Sequence, residues 1–112
     1  MTAEAAIKTA LESLGVPVGR LTFRGNANTF ITYQLIISAD RDFSDDESAA
    51  MEYTYRINLF SRADYVALFL SMKRVLKAAG FYGIETEAEV YERDTKYFHM
   101  PITAKYLEEV EE

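Results

Sequence analysis

The chain has no cysteine, no tryptophan, a single histidine and two prolines among its 112 residues. Without thiols there is no disulfide framework, no thiolate metal site and no cysteine nucleophile, a pattern that fits a reducing compartment. No run approaches the ~20 apolar residues that a membrane-spanning helix needs. The opening residues, Met1-Thr2-Ala3-Glu4-Ala5-Ala6-Ile7-Lys8, lack the basic start and continuous apolar stretch of a secretory signal. A cytoplasmic chain with no membrane partner is the expectation. Lysine and arginine form no cluster, and 18 acidic against 12 basic residues leave a net charge of −6. That charge pattern lacks the electrostatic footprint of a dedicated DNA or RNA reader.

What the chain does have is apolar and aromatic material. Hydrophobic residues make up 49% of it, with eight tyrosines and seven phenylalanines, enough for one domain over residues 1–112 to bury a core. Ala3, Ala6, Ile7, Ala10, Leu11 and Leu14 recur at helical spacing, and Gly15 before Val16-Pro17-Val18 stops the helix. Arg20 to Arg24 reads as extended, and Gly25-Asn26-Ala27-Asn28 has the chemistry of a hairpin turn. From Thr29 to Ser38, Ile31, Tyr33, Leu35 and Ile37 alternate with Phe30, Thr32, Gln34 and Ile36. Met51, Tyr53, Tyr55, Ile57 and Leu59 alternate more cleanly with Glu52, Thr54, Arg56 and Asn58, which predicts one core face and one wet face.

Between these strands, residues 39–49 are dense in acid and predict a mobile projecting loop. Ser61 and Asp64 suggest a capping box for a second helix, whose stripe runs from Tyr65 through Leu68, Phe69, Met72, Val75 and Leu76 to Ala79. Gly80 closes it. Two further strands follow, Ile84 to Arg93 and Tyr97 to about Tyr106, joined through Asp94-Thr95-Lys96. Pro101 cannot donate a ladder bond, so the last strand is expected at an edge or with a bulge. Residues 107–112 predict a frayed acidic tail. The order α-β-β-β-α-β-β implies an α+β fold: an antiparallel or mixed sheet of about five strands with two helices on one face.

Each candidate for chemistry lacks a partner. Asp40-x-Asp42-x-Ser44-x-Asp46 alternates oxygen ligands as a calcium loop does, but its sixth position is Asp45 where glycine is needed and its twelfth is Met51 where a bidentate glutamate belongs. A solvated loop is the favoured reading over a calcium site, and Asp40, Asp42, Asp45, Asp46 and Glu47 are its candidate assembly contacts. His99 has Glu92 and Asp94 nearby in sequence but neither nucleophile nor metal set, so a structural or interface role is expected. Glu85, Glu87 and Glu89 fall on one side of their strand and are expected to face water. Gly25 to Asn28 lacks both the Gly-Lys-Ser/Thr ending and the helix of a phosphate loop. No catalytic residue, cofactor or metal is assigned, and a non-enzymatic role follows.

Across nearly the whole chain the sequence resembles the small tail-completion or tail-terminator proteins of long-tailed phages and prophages. The resemblance rests on Val16-Pro17-Val18, on Asn28-Thr29-Phe30-Ile31-Thr32-Tyr33, and on the acidic loop entering the run from Tyr53 to Ser61. It continues through Ala78-Ala79-Gly80-Phe81 and the run from Tyr91 to His99. It implies a structural protein, without a cofactor, that caps the tail tube and joins it to the head connector as a hexameric ring. Its implied partners are its own copies, the tail-tube protein and the head-connector protein, with DNA only as passing cargo. It would work in the host bacterial cytoplasm during assembly and then in the virion tail. The alternative function is a small bacterial regulatory or inhibitory module that binds one protein.

Overall fold

The computed structural model describes residues 1–42 and 49–110. Helix α1 (Ala3–Glu12) is followed by strands β1 (Val18–Arg20), β2 (Thr29–Asp42) and β3 (Ala49–Ser61), helix α2 (Val66–Ala78), and strands β4 (Tyr82–Thr86), β5 (Val90–Tyr91) and β6 (Phe98–Val110). The strands form one mixed sheet in the order β1-β2-β3-β6-β4, with β5 also paired to β6. This is the expected α+β fold with one more strand, because the run predicted from Ile84 to Arg93 is divided in two.

Alternation on β3 decides where the core lies. Tyr55, Ile57 and Leu59 are buried on the face that meets both helices, together with Ile31, Tyr33, Ile102 and Ala104 from the neighbouring strands. Three alanines of α1, Ala3, Ala6 and Ala10, are buried beside Ile7 and Leu11, while α2 contributes Met72 and Leu76. Small residues let the first helix lie close to its neighbours.

The start of α1 is fastened from far along the chain. Thr2 Oγ1 accepts from the Ala5 amide, and the Glu108 carboxylate accepts from the Ala3 amide at 2.6 Å. A carboxylate there also complements the positive end of the helix dipole. In the same first turn, Glu4 accepts from the hydroxyls of Tyr33 and Tyr55, at 3.1 and 3.4 Å, and pairs with Arg20 at 3.4 Å.

Several sequence expectations are corrected by pairing. Arg20 to Arg24 and the strand after it do not form a hairpin: β1 is only three residues long and runs parallel to β2, with Val18 opposite Ile31. The chain reverses earlier than expected, at Gly19 to Thr22. Leu21 takes φ +68°, the Thr22 amide donates to the Arg20 carbonyl, and a Cβ on Gly19 would lie 2.2 Å from the Thr22 carbonyl oxygen. Only glycine fits so close an approach.

The segment from Ala39 to Asp42 and residue Ala49 are not loop, because β2 and β3 stay paired as far as Asp42 opposite Ala49. Residues 43–48, with Asp45, Asp46 and Glu47, lie outside the described residues. The acidic tail is likewise laddered, with Leu107 to Val110 opposite Glu52 to Ala49. Ser61 ends β3 instead of capping α2. It is Asp64 Oδ1 that accepts from the Val66 amide, at 3.1 Å.

Pro101 sits in an interior strand, with Asn58 of β3 on one side and β4 and β5 on the other. Its carbonyl accepts from the Glu87 amide, and in a strand the nitrogen faces the same way as the carbonyl of its residue. The missing donor therefore points at the break between β4 and β5, where three residues, 87–89, stand against two between the pairs Thr86–Ile102 and Val90–His99. The irregularity falls on the partner strands.

Burial, reinforced by the Glu4 charge, pushes both the Tyr33 and Tyr55 hydroxyls up from 10.0 to about 12. The folded chain then holds these protons when the unfolded chain releases them, so their contribution to stability is complete below pH 10 and is lost as pH rises toward about 12. Ultraviolet titration of tyrosinate is expected to show a late-ionising pair. Glu4→Gln lowers that pair without bringing it to 10.0, since burial is the larger cause. Glu4→Ala costs about 1–2 kcal/mol in urea unfolding, because both hydroxyls lose their acceptor.

Candidate interaction surface

Two features of the sheet are not used up by the helices: an aromatic row on its outer face at one end, and open strand edges at the other.

The row begins with Phe23 of the β1–β2 connection. Its ring stacks on Phe30 at 4.8 Å, Phe30 stacks on Phe60 at 4.8 Å, and Phe60 stacks on His99 at 4.4 Å. Register produces this row, since Phe30 lies opposite Phe60 and Phe60 opposite His99. Tyr97 meets Phe30 and Phe60 edge-on, and Arg62 lies over the Tyr97 ring at 4.1 Å. Such stacks add to area burial.

His99 belongs to this row as a structural residue. Its Nε2 lies 2.7 Å from Asn58 Oδ1, and Asn58 Nδ2 donates to Thr32 Oγ1 at 3.4 Å. Because the Asn58 oxygen can only accept, Nε2 carries the proton. Burial lowers the His99 pKa below 6.5, outweighing the opposite pull of Glu92. Glu92 instead accepts from the Thr95 hydroxyl within the β5–β6 turn. The acid partners suggested by sequence are thus replaced by Asn58, two residues from Phe60 on the same face.

The glutamate row is also dispersed. Because β4 ends at Thr86, Glu85, Glu87 and Glu89 do not share a strand. All three are exposed, and Glu87 accepts two bonds from Arg56 at 2.8 and 2.9 Å. Among the described residues there is no group of three or more side chains able to hold a metal ion. A shallow cleft of about 490 Å³ between α1 and α2 is lined by Ala6, Ala10, Val75, Ala78 and Ala79, with Thr9 and Ser13 as its polar groups. No carboxylate, histidine or lysine side chain lines it to activate either hydroxyl.

At the other end, the sheet narrows. The last pair of β1 is Arg20 with Tyr33, and the outermost pair of β4 is Tyr82 with Lys105. Past those levels, among the described residues, only β2, β3 and β6 continue, as far as Asp42, Ala49 and Val110. This three-stranded ribbon helps to stretch the molecule to 53 × 24 × 24 Å. Among the described residues its two outer edges, on β2 and β6, have no strand beside them.

The β2 edge is also greasy. In sequence Leu35 and Ile37 continue the alternating set of Ile31 and Tyr33, yet Leu35, Ile36 and Ile37 are 38%, 47% and 58% exposed. A bulge accounts for Ile36 and Ile37: Leu35 still pairs with Tyr55 on the core-face parity, but Ile37 pairs with Thr54, so Ile36 is an extra residue and the side-chain parity flips after it. Three apolar residues in succession, where alternation had held, were the sequence signal for this bulge. Of the proposed contact residues, Asp40 and Asp42 fall on this strand near its tip. Lys105 and Leu107 share the outer face of β6, and Leu107 is 37% exposed.

No protein-family model and no curated protein matches the chain. Among solved structures, it is similar to a chain from "Virion of native gene transfer agent (GTA) particle", with a TM-score of 0.53 and 17% sequence identity, over 96% of this chain and 95% of that one. The two share a fold over almost their full lengths.

The His99 assignment has a measurable consequence. With its folded pKa depressed, the unfolded chain binds a proton first as pH falls, so stability is lost below 6.5 until the folded His99 is also protonated. His99→Gln is expected to flatten that part of the profile relative to the parent in parallel urea titrations. Identical profiles for the two would show that His99 is not held neutral by this site.

Proposed function

We propose that this protein is a non-enzymatic structural component of a phage or prophage virion, which caps the tail tube and joins it to the head connector through ring self-assembly. The observation that carries this proposal is the ribbon with two open edges and an apolar strip, on a fold shared end to end with a chain of a gene transfer agent virion. Long exposed edges bearing apolar residues invite pairing with another chain, and soluble monomers ordinarily blunt them. The tail-terminator resemblance in the sequence gives the same surfaces a ring to build and two partners to meet. A net charge of −6 suits a component past which DNA travels without being retained.

The acidic run, Asp40, Asp42, Asp45, Asp46 and Glu47, is proposed as a docking contact in which carboxylates would meet basic groups of a tail or connector protein. Deleting the gene from an inducible prophage is expected to leave heads and tails unjoined or tails of aberrant length in electron micrographs, with plaque formation restored by the gene in trans. Normal infectious particles from the deletion strain would refute the function. Replacing Asp42, Asp45 and Asp46 together by Asn is expected to preserve folding and weaken assembly. Unchanged assembly would remove the docking role while leaving the ring.

A further inference from the structure

We infer that the ring is closed by sheet extension between copies, the β6 edge of one ribbon receiving the β2 edge of the next; this rests on the ring assembly proposed above and names the surfaces that make it. Three observations carry the inference. First, both edges belong to the same ribbon and lie on opposite sides of it, so each copy offers one edge in each direction around a ring. Second, β2 and β6 are both antiparallel to β3 and hence run the same way. A rotated copy therefore meets its neighbour in a parallel pair, a heterologous contact that repeats.

The third observation is the level at which the free segments lie. Tyr53 pairs with Ser38 on one side and with Tyr106 on the other, and Ala49 pairs with Asp42 and with Val110. Ser38 to Asp42 and Tyr106 to Val110 thus occupy the same height along the ribbon, and each lies beyond the last partner strand on its own side. Rotation about an axis along the strands, with no translation, sets one segment beside the other. A heterologous contact without rise closes into a ring, whereas one with rise makes a filament.

Side chains agree with this register. Ala39 pairs with Glu52, and Glu52 pairs with Leu107, so Ala39 and Leu107 are at one height on the outer face. Across the joint, Leu107 of one copy comes beside Ala39 of the next, with Ile37 two residues away on that same face. Leu107 and Ile37, both exposed in the single chain, cover one another. On the helix side, Tyr106 and Glu108 are held by Met1 and Ala3, which keeps the β6 segment extended for its partner. A preformed edge loses less entropy on pairing than a free tail would.

The absence of cysteine makes a direct test available. Facing residues on adjacent strands have the Cα separation a disulfide needs, about 4.4–6.8 Å. In purified full-length protein at high concentration, Ala39→Cys combined with Leu107→Cys is expected to give, under mild oxidation, a ladder of covalent oligomers ending at the closed ring on a non-reducing gel. Each single variant gives no band beyond a dimer, and adding Ile37→Lys to the double variant is expected to reduce the ladder at least several-fold. Circular dichroism establishes that all variants fold.

Failure to form the ladder at any concentration, with folded variants, would overturn edge pairing. So would a ring of the expected mass by light scattering that lacks the disulfide between positions 39 and 107, since that ring would be built on other surfaces. Neither outcome touches the deletion phenotype, which judges the tail function independently of how copies meet.

Discussion

Everything in this molecule hangs on the double ladder of β3. From Ala49 to Ser61 every residue of that strand has a partner on β6, and all but a single bulge of β2 is matched on its other side. A strand paired on both sides has one face for a core and one for something else, and its alternation decides which. Tyr55, Ile57 and Leu59 draw the helices to one side. Asn58 and Phe60 are left on the other, where they organise His99, Thr32 and the stacked rings.

The same ladder explains both ends of the sheet. At the Ser61 end, β1, the Phe23 connection and the β5–β6 hairpin close around β3, and the aromatic row seals the outer face. At the Ala49 end no described strand lies beside the ribbon. The strands run on as a three-stranded ribbon because β2 and β6 are longer than the elements that flank them. Hydrogen-bonding groups on those edges are satisfied by water in the single chain and by a neighbour in an assembly. A bulge at Ile36 turns apolar side chains outward just where the edge becomes free, so the backbone and the side chains favour association at one place.

Much of this architecture was legible from residue patterns. Both helices, the long β2–β3 pairing, the core face of β3 and the fold class follow from hydrophobic period. What was not legible is pairing. The turn chemistry of Gly25 to Asn28 suggested a hairpin, but the close approach that only Gly19 permits had already turned the chain. The acids at Asp40, Asp42 and Glu108 suggested solvated loop and tail, yet all three lie on paired strands, and Glu108 finds a helix N-terminus 105 residues away in sequence. Pro101 suggested an edge or a bulge in the last strand, but a break in the partner strands accommodates its missing donor equally well. For the candidate surface, the run Leu35-Ile36-Ile37 was visible as a fault in alternation; that its edge lies free depends on where β1 ends, which no local pattern encodes.

On the proposed function, the protein works at edges that the described residues leave without a neighbouring strand rather than in an enclosed pocket. The most direct measurement is electron cryomicroscopy of tails carrying the protein, at a resolution that separates strands. The account predicts a ring at the head-proximal end of the tube, with β6 of each copy running parallel to β2 of the next. The protein located elsewhere in the particle, or a ring in which both edges face solvent, would contradict it.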